Sequence, residues 1–175
     1  MAIEIERKYK IYTSLLPLKR EDLDIVPEQN ARMCIKQYYF NTGFIKETKE
    51  SPAIRLQMIK HYDDKNDCIK DYARVTFKGP GKISRPEFEY NIPKEDAEGI
   101  AAMASYLVSK CRYNIDFDGQ LWEVDQFFGP LRGLWLAELE LKSEDQEIKI
   151  PEWILEEVTE NIKYSNFYMA QHGKP

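Results

Sequence analysis

Histidine and cysteine are scarce in this chain of 175 residues, which contains two histidines and three cysteines. His61 and His172 lie far apart in the sequence, so we expect two surface residues rather than a histidine-based metal site. The sequence also offers no Ser-His or Cys-His arrangement that would support covalent nucleophilic catalysis. Cys34, Cys68 and Cys111 are odd in number and lack metal-ligand spacing, which predicts thiols that are buried or simply reduced.

The chain also lacks a long apolar run, an N-terminal apolar leader and an excess of basic charge. Without an apolar segment of membrane-spanning length, we expect no membrane association and a cytoplasmic location. The formal net charge of -5 argues against a nucleic-acid partner, although a local basic site is compatible with it. The length predicts one domain over residues 1–175, with enough chain to bury a core.

Charged residues recur at every second position, beginning with Glu4, Glu6 and Lys8 in the string IEIERKY. Alternate side chains of a β-strand point to opposite faces, so these three charges share one face. The spacing returns in Arg74-x-Thr76-x-Lys78, Arg85-x-Glu87-x-Glu89, Lys110-x-Arg112, Glu123-x-Asp125 and Glu138-x-Glu140. For one segment alone, a solvated face of an antiparallel sheet is the better explanation. The repetition, with both signs of charge, favours a sheet closed on itself with its charges inside.

Charges inside a closed sheet need ligands, because unpaired buried charges are costly and crowded carboxylates repel one another. Mg²⁺ and Mn²⁺ prefer carboxylate oxygens, and clustered lysine and arginine side chains bind phosphate. Acids and bases in one cavity therefore indicate a site for a divalent metal and a polyphosphate.

The local patterns predict about eight strands, over residues 2–10, 31–40, 53–60, 70–78, 84–92, 110–117, 120–127 and 134–142. Gly79-Pro80-Gly81 and Asp118-Gly119 are expected to form tight hairpins, the former in preference to a phosphate-binding loop. Helices are predicted over residues 93–109, with an apolar stripe from Ile100 to Leu107, over residues 152–158 and over residues 165–171. A loop with a short helix is expected over residues 13–29. The predicted fold is α+β, an eight-stranded antiparallel closed β-barrel with a few flanking helices.

Taken in order, these segments resemble the CYTH proteins, or triphosphate tunnel metalloenzymes, over nearly the whole chain. The N-terminal ExExK of that family is met as Glu4-Ile5-Glu6-Arg7-Lys8. Further matches are Gln37-Tyr38-Tyr39-Phe40, Ala53-Ile54-Arg55, Val75-Thr76-Phe77-Lys78-Gly79, Arg85-Pro86-Glu87-Phe88-Glu89, Lys110-Cys111-Arg112-Tyr113, Trp122-Glu123-Val124-Asp125 and Leu136-Ala137-Glu138-Leu139-Glu140-Leu141. The C-terminal Val158-Thr159 and Tyr164-Ser165-Asn166 resemble the small bacterial-type members. A lone ExExK would be a weak signal, whereas this many ordered matches form a strong one.

The resemblance implies a tunnel that binds triphosphate together with divalent metal. The metal ligands would be Glu4, Glu6, Glu138 and Glu140. The phosphate oxygens would be bound by Lys8, Arg55, Lys78, Arg85, Lys110 and Arg112. Glu87 and Glu89 would hold a second metal or position the attacking water, with Asp125 assisting. Salt bridges between strands inside the barrel are the alternative explanation of the metal set.

One position departs from the family pattern, which usually has a second arginine two residues after Arg55. Gln57 stands there, and its amide supplies no charge. Arg74 shares a strand face with Thr76 and Lys78, and we expect it to replace the missing cation as a further substrate-binding residue. The seven acids and seven bases of the implied site would then balance, so that two divalent ions would offset the charge of a triphosphate.

The implied activity is metal-dependent hydrolysis of a terminal phosphoanhydride bond, with two Mg²⁺ or Mn²⁺ ions in the site. Inorganic tripolyphosphate is the preferred substrate, because EIERK-type members resemble tripolyphosphatases and no large base pocket is evident. The alternatives are a nucleoside or thiamine triphosphatase, a class IV adenylate cyclase and a non-catalytic polyphosphate-binding module. The cyclases carry a longer motif before ExExK. The expected partner is a triphosphate-containing small molecule, and the protein would be a monomer or homodimer.

Overall fold

Nine strands form one antiparallel sheet in the computed structural model, which describes residues 3–18, 33–40, 53–63, 65–81 and 83–175. The strands are β1 (Ile3–Ile11), β2 (Met33–Tyr39), β3 (Ala53–Tyr62), β4 (Cys68–Lys78), β5 (Ser84–Ile92), β6 (Tyr106–Phe117), β7 (Gln120–Phe127), β8 (Trp135–Glu140) and β9 (Ile154–Glu157). The helices are α1 (Lys94–Ala101) and α2 (Asn166–His172). Single 3₁₀ turns span Thr13–Leu15, Gly129–Leu131 and Ile162–Tyr164.

The sheet closes into a barrel because β1 pairs with a strand on each side. The strand order is β5-β4-β3-β2-β6-β7-β8-β1, and residues 3–5 of β1 pair with residues 84–86 of β5. Farther along β1, residues 6–10 pair with β8, and β9 adds to the sheet along residues 9–11. The predicted eight-stranded antiparallel barrel is therefore confirmed, with β9 as an extra strand.

Apolar side chains pack on the outside of the barrel and at one end of its interior. On the outer wall of β1, β7 and β8, Tyr9, Trp122 and Trp153 belong to one buried cluster. A second outer cluster joins Leu56 of β3 and Ala73 of β4 to Ala97 of α1. The third cluster fills one end of the interior and comprises Tyr39, Val108, Phe127, Leu131, Leu136 and Met169. The rest of the interior is lined by the charged side chains together with some apolar ones, such as Met33 and Ile35.

Of the two predicted tight hairpins, only the one at Asp118-Gly119 forms as expected. Lys78 lies opposite Glu87 and residues 84–86 pair with β1, so the connection that contains Gly79-Pro80-Gly81 is longer than a tight turn. Gly79, Pro80 and Gly81 lie between β4 and β5, and Gly81 has φ +149°. Asp118 and Gly119 lie between β6 and β7 with φ values of 53° and 74°, which suits a two-residue turn with both residues in the left-handed region. These turns set the register that aligns the charged residues of the paired strands.

The helix predicted over residues 93–109 is wrong in its second half. Helix α1 ends at Ala101, and residues from Tyr106 onward belong to β6, where Leu107 lies opposite Tyr38. Of the expected apolar stripe, Ile100 packs against the cluster of Leu56, Ala73 and Ala97, but Met103 is 69% exposed and Leu107 is 47% exposed. Pairing along β2 decided the outcome, because β6 links β2 to β7 and the barrel cannot close without it.

The helix predicted over residues 152–158 is also wrong. Residues 154–157 form β9, whose Glu156 and Glu157 are paired with Lys10 and Arg7 of β1. Residues 155–157 are exposed, so this segment has no continuous apolar face that a helix would bury. The edge of β1 is open at this point and pairs with β9. The C-terminal helix is confirmed, and the Ser165 hydroxyl accepts a hydrogen bond from the Tyr168 N–H at its N-cap.

The scarce residue types also have defined places. Cys34 is half-buried, Cys68 is exposed and Cys111 is buried, and none of the three is in a disulfide bond. His172 is exposed, as expected, but His61 is half-buried and stacks on Tyr72, so the expectation of a surface residue was wrong for His61. The predicted loop over residues 19–29 lies outside the described residues. No described helix is both long enough and apolar enough to cross a membrane.

Candidate active site

A cavity of about 650 Å³ occupies the interior of the barrel. The described residues that line it include seven basic side chains, which are those of Lys8, Arg55, Arg74, Lys78, Arg85, Lys110 and Arg112. They also include seven acidic side chains, which are those of Glu4, Glu6, Glu87, Glu89, Glu123, Glu138 and Glu140. The structure therefore brings together all but one of the site residues predicted from the sequence, the exception being Asp125.

Three carboxylates face one another where β1 runs beside β8. Glu6 is the direct cross-strand partner of Glu140, and Glu4 lies two residues away on the same face of β1. Burial and the charges of Glu138 and Glu4 raise the pKa of Glu6 above its usual value. Burial and the charges of Glu4 and Glu6 likewise raise the pKa of Glu140, which forms no ion pair with any described residue. Glu4 is paired with Lys78 and Arg85, so the negative charge without full compensation lies at Glu6 and Glu140.

Beside this acidic corner, Glu138 lies in a dense group of cations. Its carboxylate is 2.7 Å from Lys8 Nζ and 2.6 Å from Arg112 Nη2, and Lys110 Nζ is 4.0 Å away. Burial alone would raise the pKa of Glu138, but these three cations hold it well below the usual value. The negative charge of Glu138 is therefore matched by cations of the protein.

Asp125 shares the inner face of β7 with Glu123 but does not line the cavity. Its side chain is fully buried, bonded to Lys110 and held by Arg112, whose Nε and Nη2 each donate to it at 2.7 Å. Arg112 also pairs with Glu123, which lines the cavity two residues before Asp125. The alternating pattern of β7 had marked Glu123 as a face-sharing acid, but sequence reasoning gave it no role in the site.

The opposite wall, formed by β3, β4 and β5, carries the remaining cations. Lys78 Nζ lies 2.7 Å from both Glu4 and Glu87, and Arg85 Nε donates to Glu4 at 3.0 Å. Burial and the nearby arginines, Arg55 and Arg85, lower the pKa of Lys78. Glu4 of β1 is therefore linked to Lys78 of β4 and Arg85 of β5, at the place where β5 pairs with β1 and the barrel closes.

Arg55 is the most loosely paired cation of this wall. Its Nη2 lies 3.6 Å from Glu87 and 3.7 Å from Glu89, both longer than a good charged hydrogen bond. Its Nε is buried, and no described residue accepts a hydrogen bond from it. A buried guanidinium donor without an acceptor is costly, so this side chain is suited to receive an anionic ligand.

Gln57 is buried beside Arg74, at the position where the sequence lacked an arginine. The Arg74 Nε donates to the Gln57 Oε1 at 3.1 Å, and the Arg74 guanidinium also pairs with Glu89. Both residues line the cavity. Arg74 thus lies beside Gln57, which is where it must lie if its charge is to replace that of the missing arginine.

Comparison with known proteins assigns the family. The family model for the CYTH domain matches residues 2–172. The chain belongs to the CYTH family. Two curated inorganic triphosphatases, from Acetivibrio thermocellus and Nitrosomonas europaea, are each 41% identical to it over 107 and 100 residues. The aligned segments cover 59% and 55% of this chain and 69% and 66% of those proteins.

Solved structures agree with this family assignment. The crystal structure of an inorganic triphosphatase superposes with a TM-score of 0.57 at 27% identity, covering 100% of this chain and 99% of its own. A putative adenylate cyclase from Bacillus halodurans gives a TM-score of 0.51 at 18% identity, covering 83% of this chain and 84% of its own. The second likeness supports the fold alone.

CYTH membership implies dependence on a divalent metal, and the acidic corner of the cavity has the chemistry to hold one. Glu4, Glu6 and Glu140 supply hard carboxylate oxygens, the ligands that Mg²⁺ and Mn²⁺ prefer. Burial, together with the charges of the neighbouring carboxylates, raises the pKa values of Glu6 and Glu140, and a bound cation would relieve the repulsion between these carboxylates. Among the described residues, however, no three acidic, histidine or cysteine side chains are already gathered as a finished metal cluster.

The C-terminal part of this CYTH chain contributes cavity residues to which sequence reasoning assigned no role. Thr159, Tyr164 and Asn166 line the interior, and the Lys8 N–H donates to the Thr159 hydroxyl at 3.0 Å. The segments Val158-Thr159 and Tyr164-Ser165-Asn166 had matched the family pattern, which was the only signal for them. Their placement inside the barrel depends on the path of the chain after β9.

Proposed function

We propose that this protein is an inorganic triphosphatase, which hydrolyses tripolyphosphate in the barrel cavity with the aid of divalent metal. The observation that carries the proposal is the enclosed wall of seven basic and seven acidic side chains. A small, densely charged and flexible anion fits such a wall better than an organic molecule with an apolar body. The two relatives that share 41% identity bear the name inorganic triphosphatase.

The basic side chains bind and orient the phosphate oxygens. Arg55 supplies a buried N–H group from which no described residue accepts a hydrogen bond. Lys78 and Arg85 are paired with Glu4 and would contact phosphate oxygens instead when the substrate binds. The full proposed set is Lys8, Arg55, Arg74, Lys78, Arg85, Lys110 and Arg112. Several cations that converge on one anion neutralise charge on the transferred phosphoryl group without covalent chemistry.

The residues proposed to hold the metal are Glu4, Glu6, Glu138 and Glu140. These carboxylates would hold a divalent ion, which would supply positive charge against the negative charge that otherwise opposes attack. Glu140 has no counter-ion among the described residues, and Glu6 lies 3.8 Å from Lys8 Nζ. Glu4 and Glu138 are each already paired with two or more cations, so we assign the larger share of the metal binding to Glu6 and Glu140. Two Mg²⁺ or Mn²⁺ ions per site are proposed, because the wall itself is balanced in charge.

Glu87 and Glu89 are proposed to orient the attacking water and accept its proton. They project from β5 toward the cavity, and Thr76 and Arg74 donate to Glu89 and so fix its carboxylate. The water oxygen forms the new bond to the terminal phosphorus while the bridging P–O bond breaks, and pyrophosphate leaves. Asp125 is proposed to assist by holding Lys110 and Arg112 in place.

The compensation of Gln57 by Arg74 is tested with matched variants. We expect Arg74→Ala to raise KM for tripolyphosphate by about tenfold, as loss of one charge-assisted contact would do. Lys78→Ala is the comparison, since it removes a cation from the same face of the same strand. If Arg74→Ala leaves KM unchanged while Lys78→Ala raises it strongly, Arg74 does not replace the missing arginine.

The activity itself is tested by measuring phosphate release from tripolyphosphate, ATP, GTP and thiamine triphosphate, with Mg²⁺, Mn²⁺ or chelator. Metal-dependent release from tripolyphosphate, much faster than from the other three, is the expected result. Preferential release from a nucleotide or from thiamine triphosphate would replace the substrate assignment. Cyclic AMP in the ATP wells would move the assignment to a cyclase, and metal-dependent binding without turnover would indicate a binding module.

The remaining parts of the assignment are proposals of the same kind. We propose a single domain over residues 1–175, supported by the family match over residues 2–172. We also propose a cytoplasmic protein that acts as a monomer or homodimer, without a nucleic-acid or membrane partner. Size-exclusion chromatography with light scattering distinguishes the two oligomeric states.

A further inference from the structure

Two of the three cysteines lie directly opposite each other on neighbouring strands. Cys34 of β2 and Cys111 of β6 are register partners in the antiparallel ladder. Their neighbours in sequence, Met33 and Ile35 on one strand and Lys110 on the other, line the cavity. Since alternate side chains point to opposite faces, both thiols lie on the outer face of the same wall.

Two backbone hydrogen bonds identify the kind of pair that these cysteines form. The Phe128 N–H donates to the Ser109 carbonyl at 2.9 Å, so Ser109, and with it Cys111, directs its backbone groups toward β7. The Ser105 N–H donates to the Tyr39 carbonyl at 3.0 Å, so the odd-numbered residues of β2 direct their backbone groups toward β6. Cys34 is even-numbered and turns toward β3. The two cysteines are therefore a non-hydrogen-bonded pair.

This kind of pair brings the two side chains close together. The Cα atoms of a non-hydrogen-bonded antiparallel pair are about 4.5 Å apart, which lies within the range of about 4.4–6.8 Å that a disulfide spans. Cys34 and Cys111 also belong to one packed apolar cluster. Little strand movement is needed to join them.

We propose that Cys34 and Cys111 form a reversible cross-strand disulfide when the protein meets a small-molecule disulfide such as oxidised glutathione. The half-buried Cys34 reacts first, because Cys111 is only 2% exposed. The Cys34 thiolate attacks one sulfur of the oxidised glutathione, and one glutathione thiolate leaves. The Cys111 thiolate then attacks Cys34 Sγ, and the second glutathione leaves. Two protein thiols are oxidised and one glutathione disulfide is reduced to two thiols.

The bond would brace the tunnel wall from outside and would break again readily. Cys111 lies between Lys110 and Arg112, whose side chains face the cavity, so the cross-link fixes β6 against β2 where these cations are anchored. Cβ atoms of directly opposed residues are normally farther apart than the ~3.8 Å of a relaxed disulfide. The resulting strain makes such a bond easier to reduce than a relaxed structural disulfide.

The test is a thiol count across a series of ratios of reduced to oxidised glutathione. The protein is equilibrated, quenched in acid, alkylated under denaturing conditions and analysed by intact mass and peptide mapping. We expect wild type to lose the two thiols of Cys34 and Cys111 together, and the joined peptides to return to free peptides when reduced glutathione is restored. Cys68→Ser retains the pair and lacks the exposed thiol, so it should lose both of its remaining thiols.

Cys34→Ser and Cys34→Ala should form no intramolecular cross-link, because Cys68 is not opposite Cys111. In the Cys68→Ser background, oxidation should raise the melting temperature by several degrees, since the cross-link restricts the unfolded chain. Oxidant should leave the melting temperature of Cys34→Ser unchanged. Retention of the Cys111 thiol at every ratio, a cross-link through Cys68, or a glutathione adduct on Cys34 that never resolves would each overturn the proposal. None of these readouts depends on triphosphatase activity.

Discussion

At the scale of single residues, Lys110 and Asp125 form the most deeply buried ion pair among the described residues, with side chains 1% and 0% exposed. Such a pair contributes little net stability over an apolar pair, but removal of one partner leaves a charge without full compensation. Lys110 was predicted from the sequence as a substrate-binding residue. Its burial indicates that it also holds the wall together.

We therefore expect Lys110→Ala to destabilise the fold by about 2–3 kcal/mol. This is less than the ~3–5 kcal/mol of a wholly uncompensated buried charge, because Arg112 still pairs with Asp125. The measurement is urea denaturation of the metal-free protein. Lys149→Ala is the control, since it removes a lysine from an exposed pair with Glu147 and should change the unfolding free energy by less than about 0.5 kcal/mol. Equal effects of the two substitutions would contradict the structural role of Lys110.

The carboxylates of the acidic corner give a second prediction at this scale. Glu4→Gln and Glu6→Gln should each lower kcat at saturating Mg²⁺ by at least about 100-fold, because an amide cannot replace an anionic metal ligand. Steady-state phosphate release over a titration of Mg²⁺ provides the measurement. Glu156→Gln, which changes an exposed acid paired with Lys10 on the outer wall, should retain wild-type activity. Wild-type rates for the two cavity variants would exclude these residues from the metal site.

At the scale of elements, the β4–β5 hairpin carries Lys78 at the end of one strand and Arg85, Glu87 and Glu89 along the next. Its turn is tightly built, because a Cβ added to Gly81 would lie 2.1 Å from the Ser84 carbonyl oxygen and 2.8 Å from Arg85 Cβ. Gly81 also has φ +149°, a value that only glycine adopts readily. Arg85 lies against Gly81 in the turn and is also the register partner of Glu4 on β1. A change in the turn would therefore move a residue of the cavity.

We expect Gly81→Ala to destabilise the protein by about 2 kcal/mol or more and to raise KM for tripolyphosphate, because the backbone shift displaces Arg85. Gly119→Ala is the matched control. It lies in the other hairpin with φ +74° and open space around its Cβ position, so it should cost only about 1 kcal/mol and leave KM unchanged. Thermal unfolding and steady-state kinetics measure both effects. A normal KM for Gly81→Ala would show that the hairpin does not control the site.

Helix α1 gives an element-scale prediction of the opposite sign. Gly99 lies within the helix on its exposed side, and no atom lies within 4 Å of an added Cβ. Gly99→Ala should stabilise the protein by about 0.5–1 kcal/mol, because alanine loses less backbone entropy on folding into a helix. Chemical denaturation measures the gain. A loss of stability would mean that α1 is not formed around Gly99 as described.

At the scale of the whole molecule, the barrel reverses the usual distribution of polarity. Much of its apolar packing lies on the outer face, under α1 and the segment that contains Trp153, while the residues that line the cavity include seven acids and seven bases. Asp125, buried against Lys110 and Arg112, adds an eighth acid, so the empty interior has no excess of positive charge. A bound triphosphate adds about four negative charges, which only an accompanying metal can offset.

Tight binding of tripolyphosphate should consequently require the divalent metal. At concentrations about 100-fold above Kd, tripolyphosphate with Mg²⁺ should stabilise the protein by about 2.7 kcal/mol, which corresponds to a rise in Tm of about 5–10 °C. Tripolyphosphate with chelator should give a much smaller rise, and so should Mg²⁺ with orthophosphate. Differential scanning fluorimetry of Glu87→Gln, which lacks a proposed water-orienting carboxylate but keeps the proposed metal ligands, separates this binding step from turnover. A full shift in the presence of chelator would contradict the charge argument.

The sequence by itself determined the eight barrel strands, the Asp118-Gly119 turn, the inward set of charges and the C-terminal helix. These features follow from local rules: a period of two, turn residues with positive φ and a serine N-cap. The order of the charged segments also sufficed to indicate the family. Such properties depend on residues that are close in the sequence, so they can be predicted without knowledge of the strand pairing.

Only the tertiary structure decided where local preference gave way to pairing between distant segments. Residues 106–109 became strand because β6 had to reach β2, and residues 154–157 became β9 because β1 had an open edge. Asp125 and Glu123 share one face by alternation, yet one is enclosed by Lys110 and Arg112 and the other lines the cavity. The opposition of Cys34 and Cys111 likewise arises from register. Burial and cross-strand partners are set by distant residues, and a period of two along one strand cannot specify them.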